Sequence, residues 1–236
     1  MELGTNQFFQ DLANHWAAYV GELTIIGGVS MAILQTVKDL FPVRQWFQAF
    51  YLGRWAEEGA IEARERFKKD ISATRAQTDL LILAVDGDKD AFYDLQIEQL
   101  CGQYTAAIQM VLEFPRKHLD LLGVTASKAE SADIDLVLDG PTIPPTQEFL
   151  DARNRVTHQC QRAIDALQIT AGFRWKWILQ IASIVVSGSL AWVAMTYTPG
   201  IVSRNVVSVI GSAILAGFLA PVAKDLLAVL QKARGQ

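Results

Sequence analysis

The chain has 236 residues, a formal net charge of −4 and 51% hydrophobic residues. The acidic balance gives no reason to expect nucleic acid as a partner, and two cysteines, Cys101 and Cys160, allow a disulfide in principle, although the topology below puts both in a reducing compartment. The hydrophobic share barely exceeds that of ordinary globular domains, but it is gathered into three runs rather than spread along the chain.

Residues 1–16 carry Glu2 and Asp11 with no Lys or Arg. A secretory signal needs a basic start, so this segment reads as a retained external N-terminus. Residues 17–37 form the first apolar run, long enough for a transmembrane helix of about 20 residues. Thr24, Gly28 and Ala32 recur at every fourth position within it, a stripe suited to close helix packing in lipid. Glu22 lies about one turn inside. It is the candidate intramembrane acid, with Gln35 and Gln180 near the inner face, and reads as a boundary carboxylate reaching water.

Basic residues follow this run, beginning with Lys38, and residues 38–173 read as a cytoplasmic helical domain. Its first part, near 41–55, places Phe47, Tyr51 and Trp55 at helical spacing. Arg44, Trp46, Arg54 and Trp55 mark it as an interfacial helix on the inner membrane surface. Ala56 to Val85 reads as one proline-free helix. Asp86-Gly87-Asp88-Lys89-Asp90 is a turn with capping residues. It lacks the sixth-position Gly and twelfth-position Glu of a calcium loop.

From Ala91 to Phe114 apolar residues recur three or four apart, as in an amphipathic helix. Pro115 interrupts it, and a short continuation reaches Leu122. Residues 125–145, rich in Ser, Thr, Asp, Gly and Pro, read as a linker. A last helix starts near Thr146, and only Gly172 interrupts its path into the next apolar run.

That run, 174–197, is the second expected transmembrane helix. Arg174, Trp175 and Lys176 mark its membrane interface, and Ser183 and Ser187 supply its small stripe. An external loop, 198–205, leads to a third span at 206–230, with Ser208, Ser212, Ala216 and Ala220 at every fourth position, and a tail at 231–236. Lys and Arg flank the spans on one side. They put the N-terminus outside and the C-terminus in the cytoplasm of a bacterial inner (plasma) membrane or a thylakoid-like membrane.

Arg153-Asn154-Arg155-Val156-Thr157-His158 resembles the Arg-polar-x-x-x-His motif of HEPN-type ribonucleases over six residues. The resemblance implies that Arg153 and His158 carry a metal-independent cleavage, that Asn154 orients them, and that two copies face each other across a cleft. Chemically, a His can move the 2′-hydroxyl proton while an Arg steadies the phosphate. His15, His118 and His158 are scattered, so no metal is expected, and no phosphate loop or nucleophile elbow calls for a cofactor.

The expectation is an all-α integral membrane protein with three transmembrane helices, acting as an oligomeric scaffold or assembly module rather than as an enzyme. Its partners would be the lipid bilayer, further copies of itself and an unidentified protein; nucleic acid is not expected. Two alternatives stand beside it: a homo-oligomeric pore, for which Glu22 is the motive, and a membrane-tethered HEPN-like ribonuclease.

Overall fold

The computed structural model describes residues 28–30, 32, 33, 36, 41–141 and 144–197, and no strand occurs among them. The chain divides into two units, Pro42–Trp175 and the pair of segments Met1–Phe41 and Lys176–Gln236. Among the described residues the protein is all-helical.

The unit Pro42–Trp175 begins with α1, Val43–Phe67. Its inner face is Leu52, Ala56, Gly59, Ala60, Ala63 and Phe67, all buried. Bulky residues stand at the ends and small ones in the middle, so a neighbour can approach the central turns closely. That neighbour is α5, Leu119–Thr125. A Cβ added to Gly59 would lie 2.7 Å from the Val124 carbonyl oxygen, so glycine is required here for room rather than for backbone freedom.

The helix expected over Ala56–Val85 is two helices. α1 ends where Lys68 takes a left-handed conformation, φ 53°, and its N–H bonds to the Arg64 carbonyl. α2, Ala73–Val85, starts from an N-cap at Ser72, whose hydroxyl accepts from the Arg75 N–H. The cap is reinforced from afar: Asp120 of α5 accepts the Ser72 N–H at 2.6 Å and the Arg75 Nε–H at 2.8 Å. Helix propensity alone would carry α1 onward. The break gains the burial of Ile71 and a doubly satisfied helix start.

The expected Ala91–Phe114 helix is also divided. α3, Lys89–Asp94, is capped by Asp88, and α4, Ile97–Glu113, begins at a reciprocal Gln96–Gln99 capping box. The expected linker over 125–145 contains α6, Ser131–Asp139. Its apolar residues Ile134 and Val137 are buried in the common core. The turn-forming residues around them hid a short amphipathic segment that only tertiary contact stabilises.

At the centre lies α5. Leu121 through Ser127 are all buried, so this short piece is enclosed on every side. Its polar groups are answered internally. The Thr125 hydroxyl donates to the Leu121 carbonyl at 2.8 Å, which leaves the Tyr104 hydroxyl to donate to Thr125 Oγ1 at 2.8 Å. The Trp55 ring packs edge-on against Tyr104, centroids 5.8 Å apart. Trp55, expected at the membrane surface, is therefore part of the core packing.

α7, Gln147–Tyr197, is continuous, as the lack of breakers suggested, and it belongs to both units. In the first unit its face of Phe149, Ala152, Val156, Cys160, Ile164, Leu167 and Ala171 is buried at steps of three and four.

Among the described residues no helix is long and apolar enough to cross a membrane. The expected span 174–197 is the C-terminal part of α7 and opens with Arg174 and Lys176. The expected span 206–230 lies outside the described residues, as does most of 17–37.

Candidate functional site

Arg153, Asn154 and His158 all sit on α7, but they do not converge. Five residues along an α-helix turn the side chain through about 500°, leaving Arg153 and His158 about 140° apart. Arg153 is half-buried, while Asn154 and His158 are exposed. Arg153 lines a cavity of about 620 Å³ with the ends of α4 and α6. His158 lines a different one of about 290 Å³, beside Asp133, Arg155 and Arg162. Within one copy of the chain, then, the base and the cation of the HEPN-like pattern face separate spaces.

Between them on the helix, Arg155 holds Asp133 of α6 through two hydrogen bonds, Nε to Oδ2 at 2.8 Å and the terminal nitrogen to Oδ1 at 2.6 Å. These bonds keep the Asp133 carboxyl below the usual carboxylate range, against the opposing effect of burial. The central Arg of the motif is thus a fastener between α7 and the unforeseen α6. A third cavity, about 320 Å³, shares Lys128, Gln159 and Arg162 with the His158 cavity.

The residues expected at the membrane interface divide. Arg174 lies over the Tyr51 ring, 5.2 Å from its centroid, and the Trp175 ring packs 5.1 Å from that of Phe47. The Tyr51 hydroxyl also donates to Thr170 Oγ1 at 3.0 Å. These contacts bind the start of α1 to α7. Arg44 turns inward, its guanidinium 3.9 Å from Asp94, and Arg54 pairs with Glu58 at 3.1 Å. Trp46 and Lys176 are exposed. Trp46 and Phe50 on α1 and Ile169 and Phe173 on α7 leave large apolar side chains open at this end of the domain.

In the second unit, Ser183 and Ser187 are buried, and the Ser187 hydroxyl donates to Ser30 Oγ at 2.9 Å. Ser30 is buried, Ala32 and Thr36 are exposed, and a Cβ added to Gly28 would meet open space. Glu22, Thr24, Ser208, Ser212, Ala216 and Ala220 lie outside the described residues.

Both thiols are free and buried. Burial pushes Cys101 and Cys160 up to about 12, far from nucleophilic use. Among the described residues no cluster of three or more His, Cys, Asp or Glu side chains could hold a metal ion. Sequence reading missed Arg116, Lys117 and Phe149 as neighbours of Arg153. Arg116 and Lys117 lie in the turn after α4 and Phe149 in the first turn of α7, and nothing in their local spacing announces a shared cavity. No protein-family model, curated protein or solved structure matches the chain.

Proposed function

We propose that this chain is a membrane-anchored helical module of a bacterial inner or thylakoid-like membrane, and that it works by assembling with further copies of itself. One observation supports the membrane reading: among the described residues of the second unit, small hydroxyl side chains are buried while large apolar ones are open. Ser30, Ser183 and Ser187 are at most 3% exposed, whereas Ile181, Val185 and Trp192 are 50%, 62% and 56% exposed. Water drives the opposite sorting. In lipid, exposed apolar side chains cost nothing, and small hydroxyl residues let helices approach and bond.

The assembly reading adds one step. Ala32 and Thr36 are exposed and a Cβ at Gly28 meets nothing within 4 Å, and their fourfold spacing is one that a second copy's helix could use. The open aromatic end of the first unit, with Arg174 and Lys176 beside it, suits the headgroup layer.

The test has two readouts. Expressed full-length protein should stay with the membrane pellet after alkaline carbonate washing, and in lipid nanodiscs its mass should be a defined multiple of 26.1 kDa. Release into the aqueous phase would sink the membrane reading. A monomer mass in nanodiscs would sink the assembly reading while leaving the anchor intact.

A further inference from the structure

We propose that the cavity between the C-terminal ends of α4 and α6 and the first turns of α7 binds a small amphiphilic monoanion. Its carboxylate would rest on Arg153 and Lys117 and its apolar body against Leu112, Val137 and Phe149. The cavity holds about 620 Å³ and is lined by residues of all three helices. That volume falls within the range of small-molecule sites, about 300–1,000 Å³.

The chemistry of the lining selects the ligand. Val137 and Phe149 are buried core residues, so the floor is apolar. Three cations stand around it, and one is already engaged. Arg116 donates to the Leu138 carbonyl and lies 3.3 Å from the Asp139 carboxylate. This pair closes the C-terminal end of α6, whose free carbonyls would otherwise repel an anion.

Arg153 and Lys117 have no side-chain hydrogen bond or ion pair among the described residues, unlike Arg116 and Arg155. Arg153 as a residue is half-buried, and a fork-shaped acid group matches the paired donors of its guanidinium. Phe149 sits in the first turn of α7 with its N–H already capped by Thr146 Oγ1 at 3.3 Å, so recognition of the acid falls to Arg153 and Lys117. Glu113, also on the lining, disfavours a second negative charge. A monoanionic acid with an apolar body satisfies all of these groups; a dianion or a neutral hydrocarbon does not.

Such an acid could come from solution or from the bilayer. 2-Naphthoate, titrated into the full-length chain in nanodiscs of zwitterionic lipid and followed by saturation-transfer NMR, tests the site. Saturable binding is expected, at least tenfold weaker for Arg153→Gln, largely restored in Arg153→Lys, and unchanged for Arg162→Gln on the same helix. 2-Naphthol, of the same shape without the charge, should bind at least tenfold more weakly.

No saturable binding to the wild type, equal affinity for wild type and Arg153→Gln, or naphthol binding as tightly as naphthoate would each overturn the proposal. Should Arg153→Gln lose its helical circular dichroism, Lys117→Gln at an exposed position supplies the same comparison, and equal affinity there would also count against the site. Repeating the titration in nanodiscs of anionic lipid separates the sources. Competition assigns the acid to the bilayer and undiminished binding assigns it to solution, and either result requires the site to exist.

Discussion

Replacing Gly59 with alanine isolates the contact on which the first unit is built. In an exposed helix interior this change stabilises by about 0.5–1 kcal/mol, because alanine loses less backbone entropy. Here the new Cβ would stand 2.7 Å from the Val124 carbonyl oxygen and 3.2 Å from Val124 Cγ1. The nearest atom is backbone of the buried part of α5, Leu121–Thr125, not the end of a flexible side chain, so α1 and α5 must separate. Overpacking of this kind costs about 1–3 kcal/mol. Taking the upper part of that range for a backbone contact and subtracting the propensity gain leaves about 1–2 kcal/mol of net loss. For a chain of this length that lowers Tm by roughly 2–8 °C.

The assay is thermal unfolding by far-UV circular dichroism in one lipid or detergent condition, with Gly102→Ala as the paired control. Gly102 is exposed in the middle of α4, and a Cβ there meets nothing within 4 Å. It should raise stability by about 0.5–1 kcal/mol. If Gly59→Ala stabilises as Gly102→Ala does, the close crossing of α1 and α5 is wrong, and with it the arrangement of the core.

Tyr104→Phe removes a donor but leaves Thr125 bonded to the Leu121 carbonyl, so it should cost about 0.5–1.5 kcal/mol. Thr125→Val strands the buried Tyr104 hydroxyl and should cost more, about 1–3 kcal/mol; equal losses in denaturant melts would reverse the donor assignment. Asp133, held below its usual range by Arg155, stabilises the fold above its unfolded-state value of about 4. That contribution disappears as pH falls through the lower folded-state value. Asp133→Asn should therefore destabilise at neutral pH and flatten the acid limb of the stability curve, and a limb as steep as wild type would refute the pairing. Cys101 and Cys160 should resist maleimide at pH 8 in the folded chain and react in denaturant, because burial keeps both thiols protonated. Rapid labelling of native protein would place one of them at the surface.

The sequence by itself determined that the described chain is helical and where its strongest periodicities lie. The stripe that α7 buries repeats every three or four residues, and a helix with one apolar face has one direction to turn it. The continuity of α7 past Gly172 was legible too, because no proline or capping residue interrupts it. The breaks at Lys68–Ser72 and Leu95–Gln96 were not. They are decided by partners distant in sequence: Asp120 caps Ser72 from 48 residues away, and the Gln48 amide donates to the Leu95 carbonyl from 47 residues away. α6 was hidden for the same reason, since a nine-residue helix cannot pay its nucleation cost without the core and the Asp133–Arg155 pair.

The site divides along the same line. Local spacing could propose that Arg153 and His158 act together, because both lie in one short motif. Helical geometry sends them to different sides, and tertiary packing gives Arg153 new neighbours in Lys117 and Phe149, while Asp133 takes Arg155. Periodicity fixes which face of a helix is apolar. Only the folded chain decides which residues, from which helices, share a cavity.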